Sequence, residues 1–385
     1  MKLGFFYHSI AYQAEGQVYL PGYIGVFIDE LARNCEQLHL FFQTSRRKNS
    51  DQDYQLCEQA ITFHDLGNET PAWERDINHK KYIDKIIHVD LDCLIVRSPS
   101  PLAPYFKHVV KENRLVYMVV GDYGEGRKSM KIKSMRDFAV WLYLGRNQRR
   151  FLKALKGSKV VVNSPVLYQK FIELASSVHL VKTTTLNKDS FVSSSIKPFS
   201  ETIKLLYTGR FDWAKGLKEL ALATVALNRA FTNRRFELHV AGWQTDGKDD
   251  VIKGLSQIFT NSHMQDLFIN HGKIKIGKEL NLVYFSADIY VLPSYHEGFP
   301  RTIWEAMAQN LPVITTKVGA IPYYLENEKH ALLIEPKSVD EILSAVVNLL
   351  ENPELHVKLI NSGRNLAMEN TLEVQTKKLI QAIHE

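Results

Sequence analysis

Two short runs hold the residues whose types and spacing could do chemistry. In Pro293–Val313, PSYHEGFPRTIWEAMAQNLPV, Glu297 and Glu305 are separated by seven residues. In Leu205–Gly216, LLYTGRFDWAKG, Arg210 and Lys215 follow Gly209 closely. Lysine offers a compact charge and arginine a fork of donors, so the pair could hold a diphosphate. Gly209 allows a ligand to approach the backbone. Pro300 suits the first position of a helix, where no amide hydrogen is lost. The amides of Gly298 and Phe299 would then lie at a positive helix end, suited to a phosphate or a sugar hydroxyl. Within a helix an offset of eight residues is a rotation of roughly 80°, so the two carboxylates do not stack on one face. If they share a ligand, Glu297 reaches from the loop and Glu305 from more than one turn inside the helix. A carboxylate beside a phosphate is repelled, so each should address neutral hydroxyls. Plainer explanations exist: surface loops often carry cations, and a carboxylate before a helix stabilises its N-terminus. The second explains Glu297 better than Glu305.

These residues need elements to position them. Apolar β-branched runs alternate with helical patterns, which predicts parallel sheets covered on both faces. Strands are expected at Lys2–Tyr7, Gln37–Phe42, Lys85–Val89, Leu115–Val120 and Val160–Val162. Helices are expected at Gly25–Asn34, Pro101–Glu112, Asp137–Leu155 and Pro165–Ser176. After a serine-rich passage the rhythm restarts, with strands at Ile203–Thr208, Phe236–Ala241, Leu267–Asn270, Ile289–Leu292, Pro312–Thr315 and Ala331–Ile334. Helices fit Lys215–Asn228, Leu280–Ser286, Pro300–Gln309 and Val339–Glu351. The expectation is an α/β chain of two doubly wound domains, at 1–182 and 204–365, joined by a linker at 183–203 and facing each other across a cleft. Residues 366–385 hold an amphipathic helix, Leu372–Ile383, that could pack back on the first domain. Ligands of such sheets bind at the carboxyl ends of the strands, where both runs fall.

Composition sets outer limits. The 385 residues suffice for two cores, and the apolar and charged fractions are ordinary for a globular protein. Cys35, Cys57 and Cys93 lie far apart, which argues against a zinc site and for a reducing cytoplasm. The N-terminal apolar run is interrupted too early for a signal peptide, and no run suits a spanning helix. The net charge of +6 is uneven: residues 127–159 hold eleven cations against Asp137 alone. That basic segment is interleaved with Phe138, Trp141, Leu142, Tyr143 and Phe151, a pattern suited to an anionic bilayer or a polyphosphate. It equally suits a solvated helix whose apolar stripe is core.

From Tyr207 to Glu335 the order G-R-x-x-x-x-K-G, then A-D-I-Y-V-L-P-S-x-x-E-G-F-P-x-x-x-x-E-A-M-A, P-V-I-x-T-x-V-G-A-I-P, resembles family 4 of the retaining glycosyltransferases. The resemblance implies a GT-B fold, two Rossmann-like domains with a nucleotide-sugar held mainly by the second. It implies that Arg210 and Lys215 bind the diphosphate, and that Glu297, with the Gly298 and Phe299 amides and Pro300, meets the donor sugar. It further implies that Glu305 binds the ribose, that Gly272, Lys273 and Ile274 lie against the base, and that Val318-Gly319-Ala320 supports the cleft. In the first half Gly22 and Gly25 stand where the family has a glycine-rich loop. Asp122 fits the position after strand Leu115–Val120, but the family's histidine is replaced by Gly121, and Asn310 replaces a glycine.

Other candidates are weaker. Asp90-Leu91-Asp92 spells D-x-D, which in another glycosyltransferase fold holds a metal-bound diphosphate. His8 ends the first expected strand on the side of the cleft, and Arg97 opens a rigid loop, Arg97–Pro101, on the acceptor side. The expectation is a cytoplasmic retaining hexosyltransferase using a UDP- or GDP-sugar and a glycan or lipid-linked acceptor, of the kind that builds surface polysaccharide, lipopolysaccharide or glycolipid. It needs no cofactor or metal, and binds no nucleic acid; the basic segment would make it peripheral on the membrane's cytoplasmic face. A nucleotide-sugar epimerase needs its own acid/base carboxylates and not the E-x7-E pair. A nucleic-acid-binding protein would use the basic segment but leaves both glutamates unexplained.

Overall fold

The computed structural model describes residues 1–124, 127, 130, 132–193, 196–244 and 250–385. The chain divides into two compact units, residues 1–183 with 373–385, and residues 184–372. Each is a parallel α/β sheet.

In the first unit, parallel strands lie in the order Ile61–Asn68, Gln37–Thr44, Lys2–Ala14, Cys93–Ser98, Leu115–Val119, Lys159–Val162, Ser177–Leu180. Lys2–Ala14 continues into an antiparallel ribbon with Gln17–Leu20 and Tyr54–Gln55. In the second, all neighbours are parallel in the order Phe268–Asn270, Arg235–Gln244, Thr202–Phe211, Ile289–Leu292, Val313–Thr316, Leu332–Ile334. Each sheet grows outward from a first strand, then returns to that strand's other side. The strand order therefore reverses beside Lys2–Ala14 in one unit and beside Thr202–Phe211 in the other. A reversal sends the loops after two adjacent strands in opposite directions and opens a crevice at their carboxyl ends.

Runs such as Leu115–Val119 and Ile289–Leu292 are buried at every residue, as strands covered on both faces require. Two expected elements of the first unit differ in the structure. Lys85–Val89 is no strand: residues His79–Ile87 are a helix, whose Tyr82, Ile83 and Ile86 are buried at helical spacing. The strand lies just beyond, at Cys93–Ser98. It displaces Arg97 from the expected loop into a buried strand position. Pro101–Glu112 forms only the short helix Ala103–Phe106.

The segment read as a linker packs on the second unit: Leu186 is buried in its core, and Val192 N donates to Ala308 O at 3.2 Å. The last helix, Leu372–His384, places Leu379, Ala382 and Ile383 in the core of the first unit, and Lys159 Nζ reaches Ile383 O at 2.8 Å. Leu379 is fully buried there, so Leu379→Ala should cost roughly 2–5 kcal/mol in urea unfolding of the first unit. A loss under about 0.5 kcal/mol, the size of a surface substitution, would refute this placement.

Candidate functional site

The loops after strands Thr202–Phe211 and Ile289–Leu292 meet at the reversal of the second sheet. Gly216 takes φ +70°, and a Cβ on it would lie 2.0 Å from Pro293 O, so only glycine lets the loops close up. Tyr295 N donates to Ala214 O at 2.8 Å and Tyr295 Oη to Glu219 at 2.7 Å, which ties the second loop to the first. Within this frame Lys215 Nζ donates to Glu297 Oε1 at 2.7 Å, and Ser294 Oγ donates to the same oxygen at 2.7 Å. Both side chains of the ion pair are largely buried, at 21% and 10% exposure. One ammonium donor of three is thus committed to Glu297. Arg210 is more exposed and lies 3.6 Å from Asp212, which caps the turn Trp213–Lys215 through Ala214 N.

Glu305 has a separate set of partners. Thr185 Oγ1 donates to Glu305 Oε1, and Tyr284 Oη donates to Oε2 at 2.8 Å. Because the tyrosine proton goes to Glu305, Thr208 Oγ1 is the donor in its 2.6 Å contact with Tyr284 Oη. Burial raises the Tyr284 hydroxyl well above its ordinary pKa, so it stays a donor. The two carboxylates share no partner among the described residues. The helix here is Thr302–Ala308, beginning two residues after Pro300, so Glu305 sits in its first turn rather than beyond it. Pro300 instead belongs to the bend, its carbonyl accepting from Ile303 N at 3.3 Å. Among the described residues no protein acceptor meets the amides of Gly298 or Phe299. The Phe299 ring stacks on Trp304 at 4.4 Å, and Ala320 N donates to Gly298 O at 2.9 Å.

The segment His271–Ile274 follows strand Phe268–Asn270. Gly272 O accepts from Gly242 N at 2.8 Å, and Lys273 Nζ lies 5.9 Å from the half-exposed Trp243 ring. His239 contacts Glu237 Oε2 through Nε2 at 3.1 Å and His271 Nε2 through Nδ1 at 3.0 Å. Burial lowers both histidine pKa values, so a neutral His239 donates to Glu237 and accepts from His271. Thr185, Thr208, Glu237, His239, Tyr284 and Ser294 were not singled out from the sequence. Only Ser294, three residues before Glu297, carried a local signal.

The first unit places its candidates differently. Gly22 and Gly25 do not form an open loop; they begin helix Gly22–Arg33, with Gly22 N donating to Asp53 Oδ1 at 2.8 Å. A Cβ on Gly25 would lie 2.2 Å from Tyr54 Cδ1, so this glycine serves ring packing. Asp122 is ion-paired with Lys170 and accepts from Gly124 N at 2.9 Å. His8 lies inside strand Lys2–Ala14, not at its end, and burial holds its pKa down at about 4. The Arg97 guanidinium lies over the neighbouring Tyr7 ring at 4.6 Å. Asp90 and Asp92 bind Lys2, through Nζ at 3.2 Å and the amide at 2.7 Å, at the amino edge of the sheet. That is the edge opposite the strand ends that bind ligands.

Residues 191–366, which make up most of the second unit, match the family model for glycosyl transferases group 1. Over 188 residues the chain is 25% identical to D-inositol 3-phosphate glycosyltransferase of Saccharomonospora viridis, covering 48% of this chain and 43% of that one. The chain spans less than half the length of the curated relatives it matches. Over its full length its fold resembles WaaG, a glycosyltransferase of lipopolysaccharide biosynthesis (14% identity, 99% of both chains, TM-score 0.69). It likewise resembles Anabaena HepE in complex with UDP and glucose (16% identity, 100% of both chains, TM-score 0.70). Both units are thus Rossmann-like sheets of the GT-B kind.

Gly319, at φ +57°, holds the Glu297 loop from behind: a Cβ there would lie 1.8 Å from Glu297 O. Gly319→Ala should therefore cost of order 1–3 kcal/mol and displace Glu297 from Lys215. A crystal structure of the variant with the 2.7 Å contact intact would sink that account.

Proposed function

We propose that this chain is a retaining glycosyltransferase of family 4, moving a sugar from a UDP- or GDP-sugar to a carbohydrate or lipid-linked acceptor. The observation that carries this reading is the Lys215–Glu297 contact of 2.7 Å, with Arg210 near the end of the strand that leads into the Lys215 loop, at the sheet reversal. A cation and a carboxylate so joined suit adjacent parts of one ligand, a diphosphate and the hydroxyls of its sugar. Arg210 and the remaining donors of Lys215 would hold the diphosphate, with the Gly298 and Phe299 amides beside it. Glu297 would accept from sugar hydroxyls, and Glu305, held by Thr185 and Tyr284, from the ribose. Gly272, Lys273 and Ile274 would flank the base. The names of relatives point the same way: one transfers to an inositol phosphate, and HepE holds UDP and glucose.

As the sugar–phosphate bond breaks, charge builds on the departing diphosphate, and preformed cations stabilise it most in the transition state. The acceptor hydroxyl would attack on the face from which the diphosphate leaves and give its proton to the departing diphosphate oxygen, which retains configuration without a covalent nucleophile. Two side-chain cations supply the charge that a metal ion supplies elsewhere, so turnover should survive a chelator.

The helix Met135–Leu155 supports a second contact, with a membrane. Its first turns expose Met135, Phe138 and Leu142 at one-face spacing, beside Lys133 and Arg136. Further along, Arg146 and Arg150 are committed to Asp76, each at 2.8 Å, and do not add to that surface. Lys128 and Lys131 lie outside the described residues. Among the described residues no helix is long and apolar enough to cross a membrane, so the proposed contact is peripheral, on an anionic cytoplasmic leaflet where lipid-linked glycans of surface polysaccharide or lipopolysaccharide are built.

Thermal-shift titration with UDP-, GDP- and ADP-sugars tests the donor site, because a bound donor raises Tm by mass action. Glu305→Gln should weaken the shift, while Glu297→Ala should lower turnover more than nucleotide affinity. No shift with any sugar nucleotide, or full activity in both variants, rejects the assignment. Sedimentation with phosphatidylglycerol-containing vesicles tests the membrane contact. Phe138→Ser with Leu142→Ser should abolish pelleting, and equal pelleting of the variant and the unaltered chain would show that this face is not the one used.

A further inference from the structure

The first unit has its own strand-order reversal, between Lys2–Ala14 and Cys93–Ser98. His8 stands on the first strand, within the register shift between Phe6 and Ile10, and Arg97 on the second. A third group, Arg75, comes from the helix Ala72–Ile77, and both arginines are near enough to His8 to oppose its protonation. Arg75 is more than nine-tenths buried. Its Nη1 donates to two neutral acceptors, Gln43 Oε1 at 2.9 Å and Thr70 O at 2.7 Å, and its Nε has no partner.

A buried guanidinium is costly unless a carboxylate or other anion neutralises it. Among the described residues none makes an ion pair with Arg75. The adjacent Asp76 is turned to other groups: Arg146 and Arg150 at 2.8 Å, and Tyr105 Oη at 2.9 Å. Glu69, the other carboxylate acting on Arg75, is exposed and makes no ion pair with it. Nearby, His8 Nδ1 and the Tyr123 hydroxyl are also buried without partners, and Tyr123 is close enough to feel the Arg75 charge. Burial keeps that hydroxyl protonated and able to donate. The ordinary rule that buried polar atoms are paired is broken here by Arg75 Nε, His8 Nδ1 and the Tyr123 hydroxyl, three groups that can donate to an oxyanion.

We propose that the crevice at the reversal of the first unit binds a compact oxyanion, a phosphate or a carboxylate, held by Arg75, His8 and the Tyr123 hydroxyl, with Arg97 adding a second charge. Given the glycosyltransferase reading above, on which this part rests, that oxyanion belongs to the acceptor, which is then a phosphorylated or uronate-bearing glycan rather than a neutral one. The anion would occupy the place that a carboxylate of the chain takes beside Arg146 and Arg150. It would also raise the His8 pKa and let that ring donate from both nitrogens.

The test uses the full chain carrying Lys215→Met, so that phosphate does not report on the donor loop. Sodium phosphate, glucuronate and glucose are titrated by calorimetry and by thermal shift. Phosphate, glucuronate or both should bind and raise Tm, while glucose should not. Binding of phosphate alone assigns a phosphorylated acceptor, and binding of glucuronate alone a uronate. Arg75→Met keeps the length and apolar stem of the side chain and should weaken the anion roughly tenfold or more, the size of a charge-assisted bond lost. If Arg75→Met gives no cooperative melt, His8→Phe keeps a ring in place and should weaken binding in the same direction. Either variant, made without Lys215→Met, should keep the Tm shift produced by the nucleotide sugar. No anion binding, or equal binding in the Arg75 and His8 variants, overturns the proposal. Anion binding lost with Arg75, in a protein whose Tm no sugar nucleotide moves, would leave the site standing and reject the glycosyltransferase reading instead.

Discussion

The contact between the Lys215 ammonium and the Glu297 carboxylate joins two loops that the sheet sends in opposite directions. A parallel sheet that reverses its strand order must part its loops at that point, and here the parted loops are drawn back together by side chains. Gly216 lets the first loop press against Pro293, and Gly319 lets a third loop press against Glu297. Ser294 shares the carboxylate oxygen with Lys215. The position of every candidate donor-binding group near this point follows from that closure, since each is fastened to one of the three loops.

The same constraint acts in the first unit with a different outcome. Its reversal lies between Lys2–Ala14 and Cys93–Ser98, and no carboxylate of the chain makes an ion pair with Arg75 beside it, among the described residues. In the second unit cation and carboxylate are paired in the chain itself; in the first, the buried Arg75 makes no ion pair among the described residues. A paired charge costs less to keep in place, and an unpaired one binds an incoming anion more strongly because no internal partner must be displaced. Two sheets built alike therefore offer crevices of opposite electrostatic readiness.

Most strands of the second unit were legible because a strand buried on both faces reads as an unbroken apolar run, as Ile289–Leu292 does. The first unit was harder. Lys85–Val89 has the composition of a strand, yet Tyr82, Ile83 and Ile86 form one buried helical stripe with it. The strand Cys93–Ser98 holds Arg97 next to its end, and the Ser-Pro-Ser-Pro run that follows made this residue look like the start of a loop. At the site, Glu297, Arg210 and Lys215 stood out because charged residues beside glycine mark a strand end, and Glu305 because of its spacing from Glu297. Tyr284 and Thr208 did not, because an aromatic or a threonine in an apolar stretch looks like core until the tyrosine hydroxyl is seen to meet Glu305 and the threonine hydroxyl to meet that tyrosine.

By itself the sequence determined the class of fold, two α/β sheets, and the identity of the loops that carry charge. Both depend on local pattern: apolar run length, helical period, and the glycines and prolines that punctuate them. It also implied that Glu297 and Glu305 do not share one helical face, since eight residues do not return to it. Only the tertiary structure decided that Lys215 pairs with Glu297, that Glu305 is held by Thr185 and Tyr284, and that Arg75 is buried with no ion pair among the described residues. Those partners are brought together from strands and helices far apart in the chain. Their distances are set by sheet order and register, which no local pattern encodes.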